Sequence, residues 1–305
     1  MQNNKFMERM RIGGVLFDGG MGSMLIANGL EPGAPPEEWN RSKPQLITAV
    51  HAAYIAAGAE VVTTNTFGAT PSRLKGYGLG DELANLNNAA IRIARAAIEH
   101  NQSTAQTDDT DRYIAFSIGP TGKLLPPVGQ ADVAQIEEEF VGQLESLDEQ
   151  VDLVLGETFF DIREALAALK AAKRVTETPV GISVTFTKTP RGFFTMMGDT
   201  VADSFDRLAT GGADFVAANC SVASDDMLEL SKLLRAATEL PILCQPNAGA
   251  PTVEDGMPIY GQPPEDFAAD VGSMIEIGIN AVGGCCGTNP EFIRLAAESI
   301  RSMPR

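Results

Sequence analysis

Hydrophobic positions gather in eight short runs rich in Val and Ile: Val15–Asp18, Glu60–Asn65, Tyr113–Ile118, Asp152–Glu157, Val180–Thr185, Ala213–Asn219, Pro241–Gln245 and Asn280–Gly284. Most lack polar alternation, as strands of a parallel sheet covered on both faces do. Helical periodicity fills the gaps. Ser42 opens one helix, with Pro44 and Gln45 behind it, and Gly58 closes it. Asp81–His100 carries Leu83, Leu86, Ala90, Ile91, Ala94 and Ile98 on one face, and Asp132–Leu147 repeats the pattern. Asp161–Lys173 and Thr288–Met303 open with Asp161/Glu164 and Thr288/Glu291, spaced as capping boxes. Weaker helical patterns span Val201–Thr210, Asp225–Thr238 and Glu265–Ile277. Eight strands each followed by a helix predict a single α/β domain over residues 1–305, a (β/α)8 TIM barrel. A doubly wound open sheet is the structural alternative. The polar stretch Asn101–Asp111 reads as a solvated connection, not a domain linker.

A barrel directs attention to the C-terminal ends of its strands. Four βα loops are long: Gly19–Arg41, Thr66–Gly80, Gly119–Ala131 and Pro246–Pro264. Excess loop length on one face marks the working face.

Composition narrows the partners. The 305 residues are 44% hydrophobic and carry a net charge of −17. That balance is globular, and its sign argues against nucleic acid and anionic membranes. No apolar run reaches the length of a membrane span. The opening MQNNKFMERMR has no apolar signal-peptide core, so a cytoplasmic location is expected. In such a reducing compartment four cysteines are metal-binding, catalytic or buried rather than disulfide-bonded.

The chemistry-bearing residues cluster at the strand ends. Cys220 follows the sixth run, and Cys285-Cys286 follow the eighth. Zinc takes tetrahedral thiolate ligands, and a catalytic site keeps three protein ligands and one open position. Three thiolates on Zn²⁺ make a soft centre suited to binding an incoming thiol as thiolate. Ordinary burial is the other reading of these cysteines. It is the preferred one for Cys244, inside an apolar run. For Cys285-Cys286 the flanking Gly283, Gly284 and Gly287 allow the tight turn that two converging thiols require. Asp18 and Glu157 are isolated acids ending apolar runs. Each has either a structural partner or a substrate ammonium to meet. Gly19-Gly20 would let backbone N–H groups approach a carboxylate. Acid plus N–H groups is what an amino-acid backbone needs. Other motifs fail: Gly20-Met21-Gly22 lacks the third Rossmann glycine, Gly119–Lys123 is not a P-loop, and His51 and His100 lie in helices.

Together the motifs FDGGMGSML (Phe17–Leu25), TTNTFGA (Thr63–Ala69), SIGPTGKLL (Ser117–Leu125), GETFFD (Gly156–Asp161), AANC (Ala217–Cys220), QPNAG (Gln245–Gly249) and GGCCGT (Gly283–Thr288) resemble the homocysteine S-methyltransferase family over essentially the whole chain. Their wording looks most like the homocysteine-binding module of cobalamin-dependent methionine synthase. The resemblance implies one zinc held by Cys220, Cys285 and Cys286, with the homocysteine sulfur in the open position. It implies that Glu157 holds the substrate ammonium, that Asp18, Gly19 and Gly20 hold the amino-acid end, and that Thr66, Phe67 and Asn219 line the pocket. The family's larger synthases continue into folate, cobalamin and activation domains, whereas this chain stops at Arg305. The expected donor is therefore a methylated corrinoid on a separate protein. The alternatives are a betaine or sulfonium donor, or a non-catalytic subunit that presents a zinc-bound thiol.

Overall fold

The computed structural model describes residues 4–104, 110–254 and 257–303. Residues 105–109 of the stretch Asn101–Asp111, and 255 and 256 of the loop Pro246–Pro264, lie outside the described residues. Eight parallel strands form one sheet: β1 (Val15–Leu16), β2 (Val61–Thr63), β3 (Tyr113–Ile118), β4 (Leu153–Phe159), β5 (Val180–Val184), β6 (Phe215–Ala223), β7 (Ile242–Asn247) and β8 (Ala281–Val282). Their order is β1-β8-β7-β6-β5-β4-β3-β2. A parallel bridge from Phe17 to Val61 joins β1 to β2. The Asp18 amide donates to the Val61 carbonyl there, at 3.0 Å. The sheet thus closes on itself as the (β/α)8 TIM barrel, not as an open doubly wound sheet.

Inward-facing side chains fill the lumen: Val15 and Phe17 of the first strand segment, Tyr113 and Ala115, Leu153 and Leu155, Phe215 and Ala217 form one buried cluster. Its floor is a helix that the sequence pattern does not predict, Lys5–Ile12. Phe6 inserts edge-on against Phe17, Tyr113 and Phe215, with ring centroids 6.3, 5.5 and 5.8 Å away. Asn4 caps this helix, and Arg9 pins it by a two-pronged ion pair to Glu60. The bottom of the lumen is thus plugged by aromatic rings.

The outer helices follow the predicted pattern with shifted ends. Asp132 and Asp161 cap Val133–Glu145 and Ile162–Val175. Two predicted capping boxes differ. The Glu164 carboxylate accepts from the amide and hydroxyl of Thr121 in the third βα loop, at 2.8 and 2.7 Å. The last helix, Pro290–Arg301, is capped by Asn289 and not by Thr288. Thr288 is thereby released to the rim. Two antiparallel hairpins add to the working face: Thr187–Thr189 with Gly192–Phe194, and Pro251–Glu254 with Met257–Tyr260. Among the described residues no helix is long and apolar enough to cross a membrane.

Candidate metal and amino-acid site

Cys220 stands where β6 breaks its pairing with β7. The register shifts between Asn219 and Ala223, and Cys220 and Ser221 take φ of 62° and 60°. The left-handed backbone turns the Cys220 side chain toward the rim. Cys285 and Cys286 lie in the loop after β8, which is stitched to the loop after β7. The Cys285 amide donates to the Pro246 carbonyl at 2.8 Å, the Cys286 amide to Asn247 Oδ1 at 3.2 Å, and the Ala248 amide to the Cys286 carbonyl at 2.9 Å.

The three sulfurs converge. Cys286 Sγ is 3.9 Å from Cys220 Sγ and 4.0 Å from Cys285 Sγ, and all three lie within 4.8 Å of one another. A tetrahedral zinc with bonds of about 2.3 Å sets its sulfurs about 3.8 Å apart, so the triplet fits that ion. Hydrogen bonding among the three sulfurs pushes the Cys220 thiol well below its ordinary value. Cys244 is elsewhere, buried in the wall of β7, where desolvation pushes its thiol far up.

The first βα turn packs against this loop. A Cβ on Gly20 would sit 2.6 Å from the Cys285 carbonyl oxygen, so only glycine fits. The Thr288 hydroxyl lies between the two segments. It accepts from the Gly20 amide at 3.0 Å and donates to the Cys285 carbonyl at 2.7 Å. The sequence reading leaves both glycine amides open; the structure engages that of Gly20. Tyr54, buried beneath, donates to the Thr288 carbonyl at 3.1 Å.

Asp18 and Glu157 face the same space. Asp18 is 1% exposed and accepts from the Thr63 amide and hydroxyl at 2.7 and 2.8 Å. Burial outweighs these donors and pushes its carboxyl up to about 8, with a further push from Glu157. Glu157, partly exposed at the end of β4, accepts a short hydrogen bond from the Ser117 hydroxyl. Burial raises it to about 7, and Cys220 adds to the rise. Neither acid has a Lys or Arg partner among the described residues. Thr63 and Ser117 thus hold the two acids, a placement that sequence reasoning passed over. Gln245 Oε1 is buried with no partner among the described residues.

The remaining predicted pocket residues divide. Thr66 is fully buried, its hydroxyl donating to the Ser117 carbonyl at 2.8 Å, so it buttresses the acids from behind. Phe67 lies partly exposed, its ring against Gly119, where a Cβ would come within 2.4 Å of it. Asn219 is 1% exposed and fully engaged. Its Oδ1 accepts from the Thr158 amide and the Ser183 hydroxyl, while its Nδ2 donates to the Thr158 hydroxyl and lies 3.7 Å from Cys285 Sγ. It orients the rim.

The family model for homocysteine S-methyltransferases matches residues 15–300. The chain belongs to the homocysteine S-methyltransferase family. It is 31% identical over 303 residues to a methionine synthase of Mycobacterium tuberculosis, covering 94% of this chain and 25% of that protein. A second methionine synthase, of Mycobacterium leprae, is 30% identical over 268 residues, covering 86% of this chain and 22% of that protein. The chain therefore spans about a quarter of the length of the curated relatives it matches. Among solved structures, the metallated form of the homocysteine methyltransferase MmuM from Escherichia coli superposes with a TM-score of 0.78 at 24% identity, covering 94% of this chain and 96% of that one. At that identity the likeness concerns the fold. The match runs along the whole barrel of this family member, including every strand that carries a site residue.

Proposed function

We propose that this family member, as a single-domain barrel, methylates the thiol of homocysteine to give methionine, using a zinc ion held by Cys220, Cys285 and Cys286. The observation that carries the reading is the juxtaposition of a zinc-sized sulfur triplet with two acids that have no cationic partner. When bound, the zinc supplies a soft positive centre that lowers the pKa of an incoming thiol, so that it binds as thiolate at neutral pH with release of a proton. The protein residues do the rest. Asp18 and Glu157 receive the substrate ammonium, which supplies the positive charge neither obtains from the chain. Thr63 and Ser117 orient the two acids. With the Gly20 amide given to Thr288, the Gly19 end of the turn is left to meet the carboxylate end. Bound this way, the substrate presents its sulfur to the open rim, where it attacks the methyl carbon in line while the donor departs with the bonding electron pair. No general base is needed once the thiol is deprotonated.

The donor we assign is a methylated corrinoid on a partner protein. The long methionine synthases that this chain resembles over a quarter of their length support that choice. A second observation weakens the onium alternative, which calls for an aromatic cage. Trp39, the sole tryptophan, is 6% exposed, with Lys43 Nζ 3.6 Å from its ring centroid. It is unavailable to a ligand. The test is calorimetric titration of zinc-loaded protein with homocysteine, followed by methionine detection with each donor class. Zinc-loaded protein that fails to bind homocysteine would overturn the reading.

A further inference from the structure

On the reading above, one ammonium meets two acids that stand on different strands. Asp18 follows β1 and Glu157 lies near the end of β4, with β2 and β3 between them. Their spacing is set by a chain of hydrogen bonds that runs around this part of the rim. Thr63 of β2 holds Asp18, and Ser117 of β3 holds Glu157. What joins the end of β2 to Ser117 is not sheet pairing.

Regular pairing of β2 with β3 stops at Thr63 opposite Ala115, with one further bond from the Thr64 amide to the Ala115 carbonyl at 2.9 Å. The next two bonds of a parallel ladder would run from the Ser117 amide to the Thr64 carbonyl, and from the Thr66 amide to the Ser117 carbonyl. Neither forms. The Thr66 amide turns back and donates to the Thr64 carbonyl at 2.9 Å, which takes both groups out of the ladder. Side chains stand in for them. Thr64 Oγ1 accepts from the Ser117 amide at 3.1 Å, and the Thr66 hydroxyl donates to the Ser117 carbonyl at 2.8 Å. The two hydroxyl oxygens are 2.7 Å apart. A hydroxyl has one proton to give. That of Thr66 goes to Ser117, so the proton between the two oxygens comes from Thr64. The result is a directed ring: Ser117 N–H to Thr64, Thr64 O–H to Thr66, Thr66 O–H to the Ser117 carbonyl. All three residues are buried. Gln143, from the helix Val133–Glu145, braces the ring from outside the sheet, its Nε2 donating to the Thr66 carbonyl at 3.0 Å.

Resting on the assignment of Asp18 and Glu157 to the substrate ammonium, we propose that Thr64 and Thr66 are positioning residues whose hydroxyl ring sets Ser117, and through it Glu157, at the spacing from Asp18 that one ammonium spans. Neither threonine touches the substrate on this account. The ring does what backbone pairing does lower in the barrel, at a level where β2 has already turned out into its loop. It carries the register of the two acids up to the ligand.

The test compares how zinc-loaded proteins bind two thiols, homocysteine and γ-mercaptobutyrate, which is homocysteine without its amino group. Calorimetry reads both affinities. Unaltered protein is expected to prefer homocysteine. Thr64→Val keeps the branch and removes the hydroxyl. It should weaken homocysteine about fivefold to tenfold, the scale of one hydrogen bond, and leave γ-mercaptobutyrate as it was. Zinc content should not change, because the three cysteines belong to β6 and the loop after β8. Thr64→Ser returns the hydroxyl and should return the preference. If Thr64→Val does not fold, Thr66→Val breaks the same ring at the Ser117 carbonyl and carries the same expectation. A purely structural role for the threonines would weaken both thiols alike. Thr64→Val that holds zinc and keeps the full preference for homocysteine, or loses affinity equally for both thiols, would refute positioning and leave the ammonium assignment standing. Unaltered protein that binds the two thiols equally would overturn the ammonium assignment first, and positioning with it.

Discussion

Asn219 and Thr158 exchange two hydrogen bonds across the barrel rim: the Thr158 amide donates to Asn219 Oδ1 at 2.9 Å, and Asn219 Nδ2 donates to the Thr158 hydroxyl at 2.8 Å. Their strands, β4 and β6, are not neighbours; β5 runs between them. From β5 the Ser183 hydroxyl donates to the same Oδ1 at 2.6 Å. Both strands are irregular at this level. Thr158 has φ of 65°, a strained conformation for a β-branched residue, and Cys220, next to Asn219, has φ of 62°. The pair therefore holds two distorted segments in register, one carrying Glu157 and the other Cys220.

Removing Asn219 should be costly for that reason. Asn219→Ala leaves the partly buried Thr158 amide and the buried Ser183 hydroxyl unpaired. A loss of about 2–4 kcal/mol is expected from two such groups, read as a lower urea midpoint. Thr158→Val loses one hydroxyl and keeps the branch, so about 1 kcal/mol is expected. An unchanged midpoint in Asn219→Ala would show that the rim does not depend on this amide.

The acids predict a pH dependence. In the free protein the Glu157 carboxyl sits near 7 and that of Asp18 near 8, both raised chiefly by burial. An ammonium pairs with the anions, so below these values each acid must first lose a proton. Homocysteine affinity should therefore strengthen as pH rises from 6 to 8, by up to about tenfold per unit for each acid titrating. The thiol also releases a proton, so the informative comparison is with Glu157→Gln. That variant should bind homocysteine roughly 1.5–3 kcal/mol more weakly at pH 8, keep its zinc, and show a shallower pH slope. Equal slopes in the two proteins would remove Glu157 from the ammonium site.

The proposed zinc site divides the cysteines into three ligands and one filler. Reduced protein should hold about one equivalent of zinc. Cys220→Ala should lose most of it, because two thiolates are left. Cys244→Ala should keep it, since that side chain lies buried in the β7 wall. Metal analysis after dialysis decides the matter. Zinc retained by Cys220→Ala and lost by Cys244→Ala would reverse the assignment.

What the sequence disclosed depends on how local each signal is. Apolar runs announce strands wherever both faces are covered, so all eight barrel strands were legible, with ends off by a few residues. The helix Lys5–Ile12 was not, because Phe6, Met7 and Met10 are too few to set a period, and it forms by plugging the barrel. The cysteines stood out because their residue type is rare and glycines surround them. Thr288 misled: its spacing to Glu291 fits a cap, but the chain caps one residue later and sends that hydroxyl to Gly20 and Cys285. Asn219 was expected in the pocket, yet its partners follow from irregularities in β4 and β6 that no residue pattern reveals. Thr63 and Ser117 matter only through the acids they meet across the sheet.

The donor is the remaining step, and the rim bears on it. An onium methyl donor is small and needs a cage of aromatic faces; a corrinoid is broad and needs an open approach to the sulfur. Trp39 is buried beneath Lys43, and Phe67 is packed on Gly119. Tyr77, in the second βα loop, is 47% exposed. The first two loops thus offer a poor cage. The lumen is plugged from below by Phe6, so a donor reaches the substrate sulfur only across the C-terminal rim. Zinc-loaded protein supplied with homocysteine is expected to form methionine from methylcobalamin or a methylated corrinoid protein. Betaine and methylated sulfonium compounds should give at most slow turnover. With a corrinoid protein as donor the rate should also fall as salt is raised, because a surface of net charge −17 favours a partner with a complementary patch. Fast methionine formation from an onium donor, with none from either corrinoid, would assign the rim to a small cation and leave the homocysteine half of the site as described.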